Sequence, residues 1–506
     1  MNYSTLPTLE TAIPAKRQGA RRHYGVHPYF TRRPYNVVRE YIRHYSNEGD
    51  RVLDPFGGSG VTAIESFLEN RVGIHNDINP LANFIAQGIA DLYQGDASDF
   101  HEALHYLEER CKKRLEEIGA GDDSRLDEIQ MSVSLPDNVA LPRTADVAHY
   151  HDMFTRRQLL SLATLKDAID SIENENARKG MLLAWSATLA KLNKTFLSAE
   201  GRAKSRGGSS IFSIYRYKIA REPIELPPWA TFVERATNVI NAKIEVTQAI
   251  KLKEQTNGSR GSFLLYSEDI EDLSARLAGS IDYIFTDPPY GAHISYLDLS
   301  TLWNSWLGIS PTSGAREKEL IVGGEMSFSE SHYIHRLSKS IEACVRMLKK
   351  DRWLSIVFQH WNTSYFEAIL SAAAESGAEL KAAVSQVGDP IWSMHKKKNK
   401  DSVLAGELIL TFLKSEKAAA SRTDGAFDVA CAVEEILRNA EQGKIYGEYL
   451  FNKLVIQAWK ASAIQSLKIS KGEFVKLLEQ HGWRYEPADH SWRKNGRVEK
   501  PLFALS

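Results

Sequence analysis

The sequence has few cysteines and no long apolar run, and both shortages limit what the protein can be. Among its 506 residues there are three cysteines, Cys111, Cys344 and Cys431, which lie far apart in the chain. This small number predicts reduced thiols in a cytoplasmic protein, and it argues against a disulfide framework or a cysteine zinc site. Because no run of about 18 apolar residues occurs, we expect no membrane-spanning helix.

Two catalytic patterns can also be set aside. The phosphate-binding pattern G-x-x-x-x-G-K-[ST] is absent from the chain. The zinc-protease pattern H-E-x-x-H does occur at residues 101–105, but it lies in a highly charged, amphipathic stretch with no other protease feature. We therefore interpret it as a solvated helix face and expect no metal site.

Acidic residues are missing from particular stretches, although the net charge of the chain is only −1. No acid stands between Glu10 and Glu40, and the same stretch carries seven basic residues. Residues 177–221 contain ten basic residues and one acid, and a third basic cluster covers residues 395–400. Segregated basic stretches are the expected footprint of a polyanion partner, although each one alone is also typical of a solvated face.

The order of strand and helix patterns predicts a soluble α/β protein with four parts. Residues 22–97 contain a strand, a glycine loop, a helix and a second strand, which is the unit of a parallel sheet. Residues 98–260 are predicted to be a largely helical insertion, and residues 261–414 a second α/β half that ends in an antiparallel pair of strands. Residues 427–506 are predicted to be a small C-terminal accessory domain.

A glycine-rich loop lies between a predicted strand and a predicted helix, with the sequence Asp54-Pro55-Phe56-Gly57-Gly58-Ser59-Gly60. Glycines let the backbone approach a ligand and adopt positive φ, and the start of a helix points amide groups at that ligand. Asp77 follows the next strand, where an acid can bind the two hydroxyls of a ribose. The loop also fits the loose dinucleotide pattern G-x-G-x-x-A, so this motif alone leaves NAD binding as an alternative.

A second motif follows an apolar run and reads Asp287-Pro288-Pro289-Tyr290. The prolines end the strand because they cannot donate to a hydrogen-bond ladder. A carboxylate and an aromatic ring are thereby held at the carboxyl end of a strand, where open α/β sheets place their chemistry. Taken alone, the stretch is equally typical of a strand that ends at two prolines and a surface aspartate.

Together the two motifs resemble those of the DNA amino-methyltransferases of the Asp-Pro-Pro-Tyr type. These enzymes transfer a methyl group from S-adenosyl-L-methionine to the exocyclic amino group of adenine or cytosine. The resemblance covers residues 27–97 and 261–413 and implies a Rossmann-like class I methyltransferase sheet, mostly parallel with a closing antiparallel strand. It also implies S-adenosyl-L-methionine as cofactor and double-stranded DNA as partner. The motif order places target recognition in the insertion, while the extra C-terminal segment departs from the family pattern and leaves that segment as another place for recognition.

The resemblance also implies roles for single residues. Asp54 would face the methionine end of the cofactor, Asp77 its ribose and Asp269 its adenine, with Asp96 as the alternative to Asp269. Thr31 lies in a stretch similar to the additional cofactor-side motif of the family. The implied cofactor-binding residues are Thr31, Asp54, Pro55, Phe56, Gly57, Gly58, Gly60, Asp77, Ile78 and Asp269.

The implied catalytic residues are Asp287, Pro288, Pro289 and Tyr290. An aromatic amino nitrogen is a poor nucleophile because its lone pair is delocalised into the ring. The Asp287 carboxylate and the Pro288 carbonyl can each accept one N–H bond, which favours a tetrahedral nitrogen with an exposed lone pair. Tyr290 would stack on a base that has left the duplex. His293 and Tyr296 are either base contacts or structural residues.

Basic residues interleaved with aromatic ones are the expected DNA contacts, because rings stack on bases and cations pair with the phosphate backbone. They lie in the insertion and in the basic cluster near residue 396, and they are Arg202, Lys204, Arg206, Tyr215, Arg216, Lys396 and Lys397.

Adenine-N6 is favoured over cytosine-N4 as the target, and a restriction or phage-defence system with partner proteins is the expected setting. Methylation at cytosine carbon-5 is set aside because no cysteine follows a proline. A tRNA guanine-N2 methyltransferase is an alternative, but such enzymes usually carry an RNA-binding module before the cofactor loop. A non-catalytic nucleic-acid-binding protein with a methyltransferase fold is a third reading, and the intact Asp287 and Tyr290 argue against it.

Overall fold

The chain divides into two compact units, Lys16–Tyr333 and Met1–Ala15 with Ile334–Ser506. No helix in the described part of the chain is long and apolar enough to cross a bilayer. The residues that the computed structural model describes are 3–16, 22–197, 208–257, 261–386, 407–415, 427–438, 444–445, 447–467, 469–486 and 491–494.

The unit Lys16–Tyr333 holds both sequence motifs and the insertion. Its strands are β1 Arg51–Asp54, β2 Val72–Asn76, β3 Phe196–Leu197, β4 Gly208–Ser209, β5 Ser262–Tyr266 and β6 Ile281–Thr286. Its helices are α1 Tyr35–Tyr45, α2 Val61–Leu68, α3 Pro80–Asp91, α4 Ala97–Ala120, α5 Asp123–Gln130, α6 Arg156–Asp170, α7 Glu175–Thr188, α8 Ser210–Ser213, α9 Pro228–Asn257, α10 Ile270–Arg276, α11 Tyr296–Leu299, α12 Thr301–Leu307 and α13 Ser313–Glu317.

Four of these strands form a parallel arrangement in the order β5-β2-β1-β6. Val52 of β1 lies opposite Gly73 of β2 on one side and Tyr283 of β6 on the other. Every residue of β6 is buried, as expected of a strand covered on both faces. Because β1 and β6 are parallel neighbours, the two motifs that follow them emerge side by side.

Helix α1 covers one face of β6 with aromatic side chains. The ring of Tyr41 lies 5.4 Å from that of Phe285, and the ring of Tyr45 lies 5.5 Å from that of Tyr283. Pro34 precedes the helix with a φ of −60°, the value that its ring enforces and that suits a helix start. The packing of α1 therefore fixes the segment that leads into it, residues 27–34, which is called the strap below.

The insertion is helical, as the sequence predicts. Helix α6 begins at a capping box in which the side chains of Thr155 and Gln158 each accept from the other's backbone N–H. The buried indole of Trp185 on α7 donates to the Leu162 carbonyl of α6, which satisfies the one polar atom of that side chain. Asn174 caps the start of α7 by accepting from the Ala177 amide.

The rest of the chain begins with α14 Glu330–Met347 and continues with strands β7 Leu348–Phe358, β8 Ala378–Gln386, β9 Glu407–Lys414, β10 Lys444–Ile445, β11 Trp483–Glu486 and β12 Ser491–Lys494. Its further helices are α15 Thr363–Glu375, α16 Val429–Arg438, α17 Gly447–Lys460 and α18 Lys471–Gln480. Strand β9 pairs antiparallel with both β7 and β8, which confirms the predicted closing pair.

The C-terminal part is a small α+β element. Strands β11 and β12 form an antiparallel pair, with Tyr485 opposite Trp492. The ring of Trp361 contacts that of Phe451 on α17 at 4.2 Å, so this element packs on the connection between β7 and α15. The predicted fold class is confirmed: an α/β fold with a mixed, mostly parallel sheet that has an antiparallel edge.

Candidate active site

The glycine loop after β1 is packed so closely that two of its positions exclude a side chain. A Cβ on Gly57 would lie 2.2 Å from Nδ1 of the buried His75. Gly60 has a φ of +85°, and a Cβ there would lie 2.8 Å from that of Ala86 on α3. Helix α2 begins directly after this residue. The loop therefore takes a conformation that only glycine allows, with a helix N-terminus at its end.

Asp54 joins the two motifs through buried hydrogen bonds. One carboxylate oxygen accepts from the Thr286 hydroxyl at 2.8 Å and from the Phe56 amide at 3.1 Å. The other accepts from the Thr62 hydroxyl at 2.8 Å. Burial raises the pKa of Asp54 to about 7, against the effect of these hydrogen bonds. Since Thr286 immediately precedes Asp287, Asp54 fixes the end of β6 relative to the glycine loop.

Asp77 also belongs to the loop structure, at the end of β2. Its carboxylate accepts from the Gly58 amide at 2.9 Å and from the Asn79 amide at 2.8 Å. Burial raises the pKa of Asp77 to about 6, and both amides oppose that rise. A carboxylate has about four acceptor positions, so two amide bonds leave capacity for ligand hydroxyls. The adjacent Ile78 is half-buried.

The strap runs alongside the glycine loop. A Cβ on Gly58 would lie 3.2 Å from the ring of Tyr29, whose hydroxyl is hydrogen-bonded to the Asn79 side chain. Arg32 donates from Nε to the Ser59 hydroxyl at 3.0 Å and from Nη2 to the His27 carbonyl. Burial lowers the pKa of Arg32 to about 10, still high enough to keep it charged at neutral pH. Among the described residues no carboxylate pairs with this guanidinium, so it is suited to an anionic ligand group.

The Asp-Pro-Pro-Tyr loop meets the next strap residue, Arg33. Its Nε lies 2.5 Å from Oδ2 of Asp287, and its Nη2 donates to the Tyr290 hydroxyl at 3.2 Å. That hydroxyl in turn donates to Oδ1 of Asp287. The side chains of Arg33 and Asp287 are only 15% and 19% exposed. The side chains of Arg33, Asp287 and Tyr290 therefore each bond to the other two, and all three line a small cavity.

Further contacts hold this cavity open. The Tyr333 hydroxyl donates to the Pro289 carbonyl at 2.6 Å, and Nδ1 of His293 donates to the Tyr290 carbonyl at 2.5 Å. The hydroxyls of Thr31 and Tyr296 share a hydrogen bond of 3.3 Å. The cavity is lined by Thr31, Arg33, Asp287, Pro288, Pro289, Tyr290, His293, Ile294 and Tyr296. All four predicted catalytic residues are thus brought together, with Thr31 on the same wall.

Asp269 and its alternative Asp96 occupy different places. The Asn76 side chain donates to the Pro55 carbonyl and to the Glu268 carbonyl, which brings residue 268 next to the glycine loop. Asp269 follows and caps α10 by accepting from the Glu271 amide at 3.0 Å. Asp96 is exposed at the start of α4. The connection through Asn76 favours Asp269 for a role beside the loop.

One segment of the insertion reaches the cavity side of the unit. The Tyr217 hydroxyl donates to the Leu299 carbonyl at 2.6 Å and accepts from the Leu302 amide at 3.1 Å. Phe212 packs at 5.7 Å from Phe30 of the strap. Burial raises the pKa of Tyr296 on the cavity wall, and Tyr215, a predicted DNA contact with a φ of +53°, adds to the rise. The insertion therefore contributes directly to the surroundings of the cavity.

The other predicted DNA contacts are placed less directly. Arg216 pairs with Asp146 at 2.6 Å and also donates to the Thr144 carbonyl, while its side chain stays 47% exposed. The remaining predicted contacts, Arg202, Lys204, Arg206, Lys396 and Lys397, lie outside the described residues.

The H-E-x-x-H pattern lies on α4, with His101, Glu102 and His105 exposed and His105 paired with Glu109 at 3.4 Å. In the described ranges no group of three or more His, Cys, Asp or Glu side chains is arranged to hold a metal ion. The described cysteines are all free thiols.

Sequence reasoning selected Thr31 from the strap and missed its two neighbours. Arg32 points to the glycine loop and Arg33 to Asp287, so consecutive residues serve the two motifs. The available signal was the acid-free stretch between Glu10 and Glu40, in which both arginines lie. The sequence interpretation assigned the basic residues of this stretch to a surface that binds a polyanion. Two of them, Arg32 and Arg33, instead face the candidate site.

Comparison with known families gives one match. Residues 8–86 match the model of a family described as DNA methylase, N6_N4_Mtase. The matched range contains the strap, β1, the glycine loop and β2, and it ends before the Asp-Pro-Pro-Tyr loop. No curated protein is significantly similar to the chain. The match supports a DNA amino-methyltransferase family, and with it methyltransferase activity on DNA.

Proposed function

We propose that the protein transfers a methyl group from S-adenosyl-L-methionine to the exocyclic amino group of a base flipped out of double-stranded DNA. Adenine-N6 is the favoured target, and the modification step of a restriction or phage-defence system is the favoured setting. The observation that carries the proposal is the hydrogen bonding of Asp54 to Thr286 and Thr62. This bonding ties the glycine loop to the Asp-Pro-Pro-Tyr loop, as transfer between a donor and an acceptor site requires.

The residues around the glycine loop fit the cofactor. Arg32, charged and without a carboxylate partner in the described chain, is suited to the carboxylate of the methionine part. Asp77 keeps acceptor capacity for the ribose hydroxyls, and Asp269 stands near the loop for the adenine. Residues Gly57, Gly58 and Gly60 allow the close backbone approach that such a ligand needs.

Asp287 and Pro288 would orient the acceptor nitrogen. When bound, the cofactor supplies a methyl group on a sulfonium, and as the N–C bond forms the S–C bond breaks with its electron pair left on sulfur. The Asp287 carboxylate accepts an N–H bond of the amino group and stabilises positive charge that develops on nitrogen. The proton that the methylated nitrogen must lose passes to solvent at the partly exposed mouth of the cavity.

Target recognition is proposed for the insertion, residues 98–260. The supporting observation is the anchoring of Tyr217 on the backbone of α11 and α12, which follow the Asp-Pro-Pro-Tyr loop. A segment of this region that reads bases would therefore be joined directly to the helices that follow the catalytic loop. Tyr215 is proposed as a base contact of this segment, since it adds to the rise in the pKa of Tyr296 on the cavity wall.

Replacement of Asp287 tests the assignment. We expect Asp287→Ala to lower methyl transfer by at least about 100-fold, the loss seen when a positioned charge-stabilising group is removed. Cofactor binding should survive, because the contacts of Arg32 and Asp77 do not involve Asp287. Glu434→Ala is the control, since Glu434 is exposed on α16 and pairs with Arg438 one helical turn away. Transfer of labelled methyl groups and calorimetric cofactor binding are the two measurements.

The substrates offered in the same assay decide between functions. Duplex DNA, tRNA and a no-nucleic-acid blank are compared, and nucleoside analysis of the methylated product identifies the base and the atom. Methylated DNA adenine supports the proposal in full, and methylated cytosine-N4 changes only its target base. Methylated tRNA guanine would replace it with the RNA alternative. An Asp287→Ala variant that folds but loses cofactor binding would remove the proposed role of Asp287.

A further inference from the structure

Both oxygens of the Asp287 carboxylate are engaged within the protein. Oδ2 accepts from Nε of Arg33 at 2.5 Å, and Oδ1 accepts from the hydroxyl of Tyr290. Arg33 spans both residues, because its Nη2 also donates to the Tyr290 hydroxyl at 3.2 Å. Because a carboxylate has about four acceptor positions, a target amino group can bond beside these two donors or displace one of them.

We propose that Arg33 is a positioning residue for methyl transfer and stays on Oδ2, while the Tyr290 hydroxyl is the donor that the target amino group displaces from Oδ1. This proposal rests on the proposed function. Tyr290 lies on the same four-residue loop as Asp287, and its ring is the expected stacking surface for the base. Movement of this ring onto the base would break the hydrogen bond between the Tyr290 hydroxyl and Oδ1 of Asp287. Entry of the base would therefore make that position on Oδ1 available to the target amino group.

Arg33 is the better anchored of the two donors. It is followed by Pro34 and α1, whose Tyr41 and Tyr45 pack on β6, the strand that carries Asp287 at its end. The guanidinium is a rigid, planar fork, so one side chain can fix the orientation of a carboxylate and contact a second acceptor. The geometry thus sets the Asp287 side chain in one rotamer before any base arrives.

The charge of Arg33 also decides which form of Asp287 meets the base. A cation in contact with a carboxylate favours its ionised form, and only that form accepts the amino N–H at either oxygen. The same cation makes Asp287 a weaker base, so its work is orientation and charge stabilisation rather than proton removal. In the described part of the chain, the titratable or charged groups that face Asp287 include Arg33, Tyr290, Tyr296, Asp54 and the cavity-lining His293.

Replacement of Arg33 separates positioning from mere structure. For Arg33→Gln we expect kcat for duplex DNA to fall about 10- to 100-fold, as for a misplaced reacting group, with cofactor affinity kept within a few-fold. Arg33→Lys should recover part of the loss, because an ammonium restores the charge but not the fork. Arg43→Gln is the control: it removes an arginine from the last turn of α1 that pairs with Glu69 at 2.8 Å and is not among the residues that line the cavity.

The pH profile gives a readout that a structural role would not move. Without the cation, the charged form of Asp287 loses stabilisation, so the ratio of wild-type to Arg33→Gln kcat should rise as the pH falls. Taking the ratio removes the titration of Asp54 and Asp77, which both proteins share, and Arg33→Lys should give a nearly constant ratio. A pH-independent ratio, an unchanged kcat, or loss of cofactor binding in Arg33→Gln would each overturn the role of Arg33. Failure of the wild-type protein to methylate DNA or RNA would instead overturn the proposed function itself.

Tyr290 is tested by two replacements. Tyr290→Phe keeps the stacking ring and removes the hydroxyl from Oδ1, so we expect KM for duplex DNA to fall several-fold. Tyr290→Ala removes the ring as well and should raise KM. A higher KM for both variants would show that the hydroxyl serves the bound base, and it would overturn the displacement step.

Discussion

Gly57 has no space for a side chain, and this shows how a single residue shapes the donor half of the site. The imidazole of His75 occupies the space that a Cβ on Gly57 would need, and its Nδ1 lies 2.2 Å from the ideal Cβ position. Burial lowers the pKa of His75 to about 4, so the ring is neutral at neutral pH and adds no charge beside the loop. The histidine is held by Asn83 of α3 at 3.0 Å and cannot easily move away.

Gly57→Ala should therefore destabilise the protein and weaken cofactor binding together. Overpacking of a rigid site costs about 1–3 kcal/mol, and the displaced loop would no longer present its backbone correctly. Denaturant unfolding and calorimetry measure the two effects. Gly119→Ala is the control, because a Cβ there meets nothing within 4 Å and the residue lies in α4, where alanine is the better helix former. Equal stability of the two variants would contradict the packing argument.

Among the elements around the cavity, α11 has an unusual N-terminus. The Leu297 amide donates to Oε1 of the buried Glu319 at 3.1 Å, so a carboxyl group from a distant loop holds this short helix. Burial raises the pKa of Glu319 to about 8, with the Leu297 amide and Arg316 opposing the rise and Asp298 and Asp77 adding to it. The side chain is thus protonated at neutral pH in the folded protein.

This protonation makes stability depend on pH in a predictable direction. The folded protein keeps a proton on Glu319 that the unfolded chain releases above its ordinary pKa near 4.5, so folding stability falls as pH rises from there to about 8. Glu319→Gln keeps the acceptor for Leu297 and removes the titration. We expect the variant to match the wild type at about pH 5 and to be more stable at about pH 8.5, by on the order of 1–4 kcal/mol.

Denaturant unfolding at both pH values measures the effect. Glu317→Gln is the matched control, since Glu317 is exposed two residues away on α13. If Glu319→Gln loses as much stability as Glu317→Gln between the two pH values, the buried Glu319 is not the cause of the pH dependence.

The elements were predictable from sequence because their signals are local. Strand β6 was visible as the apolar run at Tyr283–Phe285 before two prolines, and the antiparallel β8–β9 pair as strand-like stretches near 379–387 and 407–413. The strap contacts were not predictable, because nothing local shows that Arg33 lies against a residue 254 positions later. The role of Asp54 was predictable only in part, for the same reason. The sequence shows an acid before the glycine loop, but its hydrogen bond to Thr286 depends on the register of β1 against β6.

At the scale of the whole molecule, a chain with net charge −1 must bind a polyanion through local excess charge. Part of the basic excess near the N-terminus turns inward, since Arg32 and Arg33 serve the two halves of the site. Arg216 of the insertion is paired with Asp146. If the protein binds duplex DNA as proposed, its phosphate contacts come largely from other cations, and the basic stretch of residues 202–206 is the strongest sequence candidate.

Neutralising that stretch should flatten the salt dependence of DNA binding. Each phosphate contact contributes about 0.9 to the slope of log Kd against log salt, so the triple change Arg202→Gln, Lys204→Gln and Arg206→Gln should reduce the slope by about 2–3. The control neutralises Lys112, Lys166 and Lys179, which are each paired with a carboxylate one helical turn away. Both triples remove three charges from the molecule, so a general effect of net charge would flatten both slopes alike. Only a contact made by residues 202–206 flattens the first and spares the second, and equal slopes for the first triple and the wild type would place the DNA on another surface.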